Sequence, residues 1–365
     1  MPSRLLLDVG PATGAHGARG IGRYVRGLVD AIGEWSVERR ERIWALGLPG
    51  DTLDHFEERA VSSESLGWRP VDTGWLLGRV ATSRALRRAH ARVLHSTDPH
   101  RPWPPGGVRR LVTAYDLIPL REAALLRSWR PNHRLGYRWY LRQIVHADAV
   151  IAISHATADD LVRLLGVPEN RIHVVYPVVS QVDTLVRRPA EVPTFLFVGG
   201  LDIHKQPELA IEALARFRER EGECKLRFIG PSSEAQQAEI LGHARRLGVL
   251  ESIQLDGRIP DAALDAAFAS ATALLSMSRI EGFGLPPVEA VLRGVPVISV
   301  DIPSARETVA GAATLVPPDA EAIAEAMAKP QPPSTEAKDR LRARYSRQSS
   351  AEALWAAYGP FLDQR

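Results

Sequence analysis

Residues 276–301 read SMSRIEGFGLPPVEAVLRGVPVISVD and hold the strongest structural signals of the chain. One short apolar run, 271–275, lies just before this segment, and a second, 295–300, lies within it. Both runs have a composition that is typical of buried strands. Between the runs a glycine turn precedes two prolines, which suit the first turn of a helix that Gly294 would end. The order strand, glycine loop, helix and strand predicts part of an open parallel sheet. The helix N-terminus would lie beside the carboxyl ends of the strands and favour a phosphate.

Two glutamates flank this loop. Glu281 comes just before it and Glu289 lies inside the predicted helix, with seven residues between them. Carboxylates repel phosphate, but they accept hydrogen bonds from vicinal hydroxyl groups. An anion cradle between two hydroxyl acceptors suits a sugar nucleotide. A helix-start acid beside a solvated loop acid would give the same pair, so the pair alone leaves both interpretations open.

The whole segment, with its EGFGLP core and Glu-x7-Glu spacing, resembles the nucleotide-sugar signature of glycosyltransferase family 4. That family is retaining and has the two-domain GT-B fold. The resemblance implies that Glu281 contacts the transferred sugar and Glu289 the ribose. It also implies that the loop backbone faces the sugar and the diphosphate, at Gly282, Phe283, Gly284 and Leu285.

A second element follows the predicted strand 194–198. The run Gly199-Gly200-Leu-Asp-Ile-His-Lys205 resembles the family's G-R-x4-K element, which implies that Lys205 neutralises the leaving nucleotide. Gly200 stands where the family has an arginine, so some positive charge must come from elsewhere. Candidates for that charge are His204, Arg258 and Arg279.

Further donor contacts are implied by two weaker resemblances. The stretch Gly20-Ile-Gly22-Arg-Tyr resembles the GIGRY sequence of one branch of the family, in which the first loop reaches the donor diphosphate. A flexible surface loop would have the same composition. The segment around Arg258 and Ile259 resembles the family's FLGYV segment, whose backbone holds the nucleobase.

The acceptor side is expected in the N-terminal half. Tyr115-Asp116-Leu-Ile-Pro-Leu resembles the family's HDLIPL segment, with Tyr115 in place of the usual histidine. Tyr115 keeps a hydroxyl group but does not titrate near neutral pH. Tyr115, Asp116 and His95 are therefore the candidate acceptor-side residues, although a lone histidine is more often structural.

The chain of 365 residues is long enough for two ordinary cores. Strand and helix patterns alternate through both halves, which predicts an α/β protein of two doubly wound, Rossmann-like domains. The GT-B resemblance places these domains face to face across a cleft. The expected boundaries are 1–180 for the acceptor-side domain, 181–193 for a linker and 194–345 for the nucleotide-sugar domain. Residues 346–365 should form a helix that packs back on the first domain.

Charge is uneven along the chain. The net charge is +3, with +8 in residues 1–190 and −5 in the remainder. Arginines from Arg121 to Arg142 alternate with tryptophans and tyrosines, which indicates either a solvated helix face or a docking surface for anionic lipid. No nucleic-acid module is recognisable. A single cysteine excludes an internal disulfide, and no segment approaches a membrane span or a secretory leader. A cytoplasmic protein is expected, with contact to the inner face of the membrane as an open alternative.

The expected reaction is retaining transfer of a hexose from a nucleotide-diphosphate sugar, with Glu281 and Lys205 as catalytic residues. No metal and no cofactor besides the donor are expected, because the family needs none and no Asp-x-Asp motif is poised for one. GDP-mannose is the leading donor expectation. The acceptor would be a hydroxyl of a glycan, a lipid-linked glycan or a natural product, in bacterial polysaccharide or natural-product synthesis. A non-catalytic sugar-nucleotide-binding partner subunit is the alternative, motivated by Gly200 and Tyr115. An epimerase would need catalytic groups that the sequence does not reveal.

Overall fold

The computed structural model describes residues 3–12, 20–47, 60–62, 75–97, 106–179 and 184–363. The chain divides into two compact units. The first unit consists of Met1–Val178 and Tyr345–Arg365, and the second of Val179–Arg344. Residues 13–19, just before the GIGRY stretch, and 180–183, which include part of the predicted linker, lie outside the described residues. Each unit is built on one parallel sheet with helices, so the predicted α/β class is confirmed.

The first sheet has seven parallel strands in the order β3-β2-β1-β4-β5-β6-β7. β1 lies near its centre, where Leu7 pairs with Ala45 on one side and His95 on the other. The apolar run of β1 is continuous because a central parallel strand is covered on both faces. The strands are β1 Arg4–Asp8, β2 Ile43–Gly47, β3 Ala60–Ser62, β4 Ala91–Ser96, β5 Arg109–Ala114, β6 Ala149–Ala152 and β7 Ile172–Val174.

The helices of the first unit connect these strands. The helix that follows β6 has a clear signal at each end: the Ser154 hydroxyl accepts the Thr157 N–H at 2.9 Å, and Gly166 ends the helix with φ of +66°. The helices are α1 Gly20–Gly33, α2 Val37–Arg40, α3 Trp75–Ala89, α4 Ile118–Arg121, α5 Ala123–Ser128, α6 Pro131–His146 and α7 His155–Leu165.

Helix α6 separates the arginine and aromatic pattern into two faces. Tyr137 and Tyr140 are buried in the core formed with β5, β6 and α7, and Trp129 packs against that core. The arginines of the helix remain exposed. The aromatic residues of this pattern therefore serve mainly as core, and the exposed face is mainly cationic.

The second sheet has six parallel strands in the order β10-β9-β8-β11-β12-β13. The two runs that flank the glycine loop in the sequence, β11 and β12, are adjacent and in register, with Leu275 opposite Ile298. The strands are β8 Thr194–Val198, β9 Lys225–Ile229, β10 Ile253–Gly257, β11 Ala273–Ser276, β12 Val297–Val300 and β13 Thr314–Val316.

Helices alternate with these strands as the sequence predicts. α8 packs on α13 and α9, and α11 packs on α12 and α14. The helices are α8 Pro207–Glu221, α9 Glu234–Arg246, α10 Asp261–Ser270, α11 Leu285–Leu292, α12 Pro303–Val309, α13 Ala320–Ala328 and α14 Thr335–Arg344.

The described part of the predicted linker is hydrogen-bonded to the second unit. From residue 184 it belongs to the second unit, to which its backbone N–H groups bond. These bonds run from Leu185 to the Arg293 carbonyl, from Arg188 to Ala269 and from Ala190 to Ser270. The hydrogen bonds explain why a segment without helical or strand periodicity is nevertheless ordered.

The last helix, α15 Arg347–Leu362, belongs to the first unit. The indole N–H of Trp35 donates to the Ala351 carbonyl at 3.0 Å, and the Ser350 hydroxyl donates to the Tyr176 carbonyl at 2.9 Å. Tyr358 is fully buried. The chain therefore crosses to the second unit and returns to complete the first.

None of the helices in the described ranges combines the length and the apolar character needed to cross a bilayer.

Candidate functional site

The strand order of the second sheet reverses between β8 and β11, which are neighbours although two strands separate them in the chain. In an open α/β sheet, a crevice opens at the carboxyl ends of the strands where the order reverses. β8 ends at Val198 and β11 at Ser276, and the segments that follow carry Lys205 and Glu281. The topology therefore brings together two residues that are 76 positions apart in the chain.

The segment after β11 leads into α11 through Gly284. This residue has φ of +87° and is the N-cap of the helix, a conformation that favours glycine. Pro286 and Pro287 occupy the first turn and carry no N–H, so Gly284 and Leu285 supply the backbone donors that remain there. The helix start keeps its positive dipole end but presents fewer donors than an ordinary helix.

Lys205 ends a short 3₁₀ turn, Ile203–Lys205, after β8. Gln206 then takes φ of +49°, and α8 begins at the next residue. The N–H of Arg279 donates to the His204 carbonyl at 2.9 Å, which ties this turn to the segment after β11. The two loops are therefore joined by a backbone bond as well as by their side chains.

Lys205 and Glu281 form an ion pair, with 2.6 Å between Nζ and Oε1. The Ser278 hydroxyl donates to the same carboxylate oxygen at 2.7 Å. Burial raises the pKa of Glu281, but the charge of Lys205, hydrogen bonds from Lys205 and Ser278, and the nearby His204 together hold it below its ordinary value. Glu281 is therefore ionised at neutral pH despite its partial burial.

A pocket opens at this pair. Its walls come from the ends of β8 and β11, from Lys205 and Glu281, and from the first turn of α11. The lining residues are Phe197, Val198, Lys205, Leu274, Leu275, Ser276, Met277, Ser278, Glu281, Pro286 and Pro287. The recess is small, with a partly apolar lining, and one charged pair converges in it.

Glu289 lies in the second turn of α11 and is 3% exposed. Its Oε2 is 3.8 Å from Nη1 of Arg293, one turn further along the helix. Glu289 is therefore a buried acid with a cation beside it.

The other predicted donor residues are arranged differently. Gly282 and Phe283 are buried in the loop, whereas Arg258 is exposed and Ile259 half-buried after β10. Within the described chain, neither Arg258 nor Ile259 lines the pocket. An added Cβ at Gly200 would lie 2.8 Å from Oδ2 of Asp202, so an acidic neighbour faces the position where the family has an arginine.

The predicted acceptor-side and loop residues lie in the first unit. The Tyr115 hydroxyl donates to the Thr97 carbonyl at 2.9 Å, and its ring packs edge-on against Tyr24. Asp116 is half-buried and accepts the N–H of Ile118 at 3.1 Å. Gly20 and Gly22 form the start of α1, the first exposed and the second buried.

His95 corrects the sequence expectation. It has no exposed surface, and its ring nitrogens lie 2.5 Å from the Tyr358 hydroxyl and 2.8 Å from the Thr113 hydroxyl. Burial lowers the pKa of His95 to about 3. A neutral histidine enclosed by core hydroxyls holds β4, β5 and α15 together, so His95 is a structural residue.

Two residues of the site were not identified from the sequence. Ser278 stands three positions before Glu281, close enough for a local side-chain bond. Arg293 stands four positions after Glu289, the spacing of an ion pair on one helix face. Both spacings were visible in the sequence, but neither reveals a contact until the loop and helix are in place.

Two family profiles match the chain. The one described as Glycosyltransferase Family 4 matches residues 18–181, and the one described as Glycosyl transferases group 1 matches residues 186–337. A relative of similar sequence is the lipopolysaccharide 1,6-galactosyltransferase of Escherichia coli K12. It is 26% identical over 298 residues, which cover 74% of this chain and 77% of that protein.

Solved structures show the same fold. Sucrose-phosphate synthase from Thermosynechococcus elongatus has a TM-score of 0.71 at 20% identity and covers 99% of both chains. HepE of Anabaena, solved with UDP and glucose, has a TM-score of 0.59 at 14% identity, over 98% of this chain and 95% of that one. Since the two profiles match most of both units and the fold agrees over the whole chain, the chain belongs to the family 4, group 1 glycosyltransferases with the GT-B fold.

Proposed function

We propose that the protein transfers a hexose from a nucleotide-diphosphate sugar to a hydroxyl acceptor, with retention and without a metal ion. The observation that carries this proposal is the pairing of Lys205 with ionised Glu281 in a pocket at the β8/β11 switch point. One cation for a diphosphate and one anion for sugar hydroxyls meet within a single recess.

Lys205 and the start of α11 would hold the diphosphate. An ammonium group has three donors, so Lys205 can bond to Glu281 and still donate to phosphate oxygens. The N–H groups of Gly284 and Leu285 and the helix dipole add positive potential on the side of α11. Because the two prolines reduce the backbone donors, Lys205 should carry a large share of leaving-group stabilisation.

Glu281 would orient the sugar, and Glu289 would accept the ribose hydroxyls. An ionised carboxylate is the better acceptor for hydroxyl groups, because both of its oxygens accept hydrogen bonds and neither donates one. The contacts of Lys205 and Ser278 keep Glu281 in that state. The backbone at Gly282 and Phe283 would pass beside the sugar, and Arg258 and Ile259 would approach the base.

In the proposed reaction, the bond from the sugar C1 to the diphosphate oxygen breaks as the bond from C1 to the acceptor oxygen forms. The acceptor approaches on the face that the diphosphate leaves, which retains the configuration. Its proton passes to the departing phosphate oxygen, so charge and atoms balance without an additional base. Lys205 stabilises the negative charge that develops on the diphosphate.

The acceptor would contact the first unit, with Tyr115 and Asp116 as candidate contacts. The start of α1, at Gly20 and Gly22, is a candidate contact for the donor diphosphate. His95 is not among the acceptor contacts because it is enclosed. A glycan, a lipid-linked glycan or a natural product all offer suitable hydroxyl groups. The lipopolysaccharide acceptor in the name of the E. coli relative makes a bacterial surface glycan the first acceptor to test.

The deciding experiment tests a panel of UDP-, GDP-, dTDP- and ADP-hexoses as donors. Calorimetry measures their binding, and release of nucleoside diphosphate measures their turnover in the presence and absence of EDTA. UDP-galactose and UDP-glucose come first, because one relative is named for galactose transfer and another was solved with UDP and glucose. GDP-mannose remains in the panel, although neither relative supports it.

The outcomes separate the candidate functions. Turnover of one donor, unchanged by EDTA and abolished or strongly reduced in Glu281→Gln and Lys205→Met, would support the transferase. Retention would be read from the anomeric configuration of the product. Binding without turnover for any acceptor would favour the non-catalytic partner subunit. A Glu281→Gln enzyme with full turnover would show that Glu281 does not act on the sugar.

We also propose electrostatic contact with an anionic membrane through α5 and α6. Residues 123–147 contain five arginines and no Asp or Glu. Leu135 of this face is 69% exposed. Since the tyrosines of the pattern are buried, attraction to lipid headgroups rather than insertion of aromatic rings would supply most of the affinity.

The membrane proposal is tested by sedimentation with vesicles of phosphatidylcholine, with and without phosphatidylglycerol. Binding should require the anionic lipid and fall steeply with added salt. Changing Arg134, Arg138 and Arg142 to Gln should remove it. The matched control changes exposed arginines of the second unit, Arg216, Arg245 and Arg246, to Gln. Equal loss in both triple variants would show a nonspecific charge effect and contradict the proposal.

A further inference from the structure

Glu289 lies in the core beside a cationic side chain. It is buried, and an isolated buried carboxylate is strongly unfavourable unless a cation or hydrogen bonds compensate it. Arg293, one helical turn later, is also buried, at 7% exposure. Its Nη1 lies 3.8 Å from Oε2 of Glu289 and donates to the backbone carbonyl of the same residue at 3.3 Å.

Arg293 is in turn held in place by α10. Its Nε donates to Oδ1 of Asp265 at 2.9 Å, and Nη2 lies 2.8 Å from the same oxygen. The guanidinium group also stacks over the ring of Phe268, 4.9 Å from its centre. A planar guanidinium with two fixed neighbours has little rotational freedom, so its position relative to Glu289 is set before any ligand binds.

We infer that Arg293, clamped by Asp265 and Phe268, is a positioning residue whose fixed positive charge orients the Glu289 carboxylate for the ribose hydroxyls of the donor. The inference rests on the proposed function, in which Glu289 accepts those hydroxyls. At 3.8 Å Arg293 compensates the charge of Glu289 at a distance too long for a hydrogen bond to that oxygen. Its shorter contacts go to Asp265 and to the backbone, so charge compensation does not compete with hydroxyl binding at Oε2.

The test measures recognition of the ribose itself. Calorimetry compares UDP with 2′,3′-dideoxy-UDP, and GDP with 2′,3′-dideoxy-GDP, on the full chain. The wild type should prefer the ribonucleotide by roughly 10-fold or more, the range of hydrogen bonds to a charged group. In Arg293→Met this preference should fall to about 2-fold or less, while the affinity for the dideoxy compound changes little.

A double-mutant cycle identifies the path of the effect. Glu289→Gln should lose the same preference, and Arg293→Met in the Glu289→Gln background should lose nothing more, because both changes act on one carboxylate. Arg293→Lys should restore part of the preference, since it returns the charge without the bidentate clamp. Asp265→Asn leaves both Arg293 and Glu289 in place and should lower the preference by a smaller factor. This variant replaces Arg293→Met in the test if Arg293→Met does not fold.

The outcomes distinguish this inference from the proposed function. A ribose preference lost in Glu289→Gln but intact in Arg293→Met and Asp265→Asn would overturn the role of Arg293 and leave the function standing. A preference that survives Glu289→Gln would overturn the assigned role of Glu289 and, with it, this inference. If neither nucleoside diphosphate binds the wild type, the proposed function fails first. An equal loss of affinity for ribo and dideoxy compounds would show that Arg293 has only a structural role.

Discussion

At the scale of single residues, the candidate site holds charged side chains in a partly apolar recess. One carboxylate oxygen of Glu281 accepts hydrogen bonds from the Lys205 ammonium group and the Ser278 hydroxyl group. Glu289 has a guanidinium group one helical turn away. Burial alone would raise the pKa of Glu281, and the ammonium and hydroxyl groups offset that effect. Two acids therefore lie beside cations within one small region.

Lys205→Met should destabilise the protein by an amount that depends on pH. In the wild type the folded pKa of Glu281 lies below its unfolded value, so its contribution to stability is present above the ordinary glutamate range and is lost as pH falls through the folded pKa. The variant keeps the burial and loses the main compensation. Urea unfolding should show a deficit of about 2 kcal/mol at neutral pH that shrinks toward about pH 4.

Ser278→Ala is the matched control for Lys205→Met, because it removes a hydrogen bond to the same oxygen but keeps the ion pair. Its deficit at neutral pH should be smaller, about 1 kcal/mol. A deficit in Lys205→Met that does not change with pH would show that the ion pair does not control the charge of Glu281.

His95 should make the first unit sensitive to acid. Burial lowers the pKa of His95 from 6.5 to about 3, so the unfolded chain binds the proton more readily and stability falls as pH drops below 6.5. The loss should reach about 2 kcal/mol between pH 6.5 and about pH 5, at 1.36 kcal/mol per pH unit. His95→Gln, which does not titrate, should flatten this part of the stability profile. The exposed His133→Gln should leave it unchanged, and an equally flat profile in that control would contradict the assignment to His95.

At the scale of elements, the site depends on how closely strand ends approach one another. Gly230 follows β9 with φ of +152°, and an added Cβ would lie 2.1 Å from the Gly199 carbonyl oxygen at the end of β8. Gly199 in turn leads to the turn that carries Lys205. A bulkier residue at position 230 would therefore displace the loop that presents the lysine.

Gly230→Ala should cost about 3 kcal/mol or more in unfolding free energy and should also weaken donor binding, because the backbone clash cannot be relieved by a side-chain rotation. Gly222→Ala is the matched control. Gly222 also has positive φ, at +93°, but an added Cβ there meets nothing within 4 Å. It should cost only about 1–2 kcal/mol and leave donor binding intact. Equal losses in the two variants would show that backbone strain, and not the contact with Gly199, accounts for the effect.

At the scale of the whole molecule, the first unit is assembled from both ends of the chain. Helix α15 inserts Tyr358 beside His95 and Trp35, and the Arg42 guanidinium pairs with Asp363 at 2.7 Å. The second unit interrupts the first in sequence, so the first core is complete only after the second unit and α15 have been synthesised. The last helix is therefore part of the core of the first unit.

Tyr358→Ala should destabilise the first unit by about 3–5 kcal/mol, because a large aromatic side chain leaves a cavity. Tyr358→Phe keeps the ring but removes the hydroxyl from His95, and should cost about 1–2 kcal/mol. Trp355→Phe, at a half-buried position of the same helix, should cost less than Tyr358→Ala. In urea unfolding the losses should appear in the transition of the first unit. A loss confined to the second unit would contradict this assignment.

From the sequence alone one can predict the α/β class, the alternation of elements and the helix α11 with its proline start, and one can single out Glu281, Glu289 and Lys205 as candidate site residues. These features depend on local periodicity, turn chemistry and an ordered string of motif residues. The tertiary structure alone decided that Lys205 pairs with Glu281, that His95 is enclosed by core hydroxyls, and that Arg293 stands between Asp265 and Glu289. Each of these involves side chains from separate elements, whose contacts are fixed by the sheet order and by packing. The boundary of the linker also depends on tertiary structure, because its backbone hydrogen bonds are made with residues about 80–110 positions away in the chain.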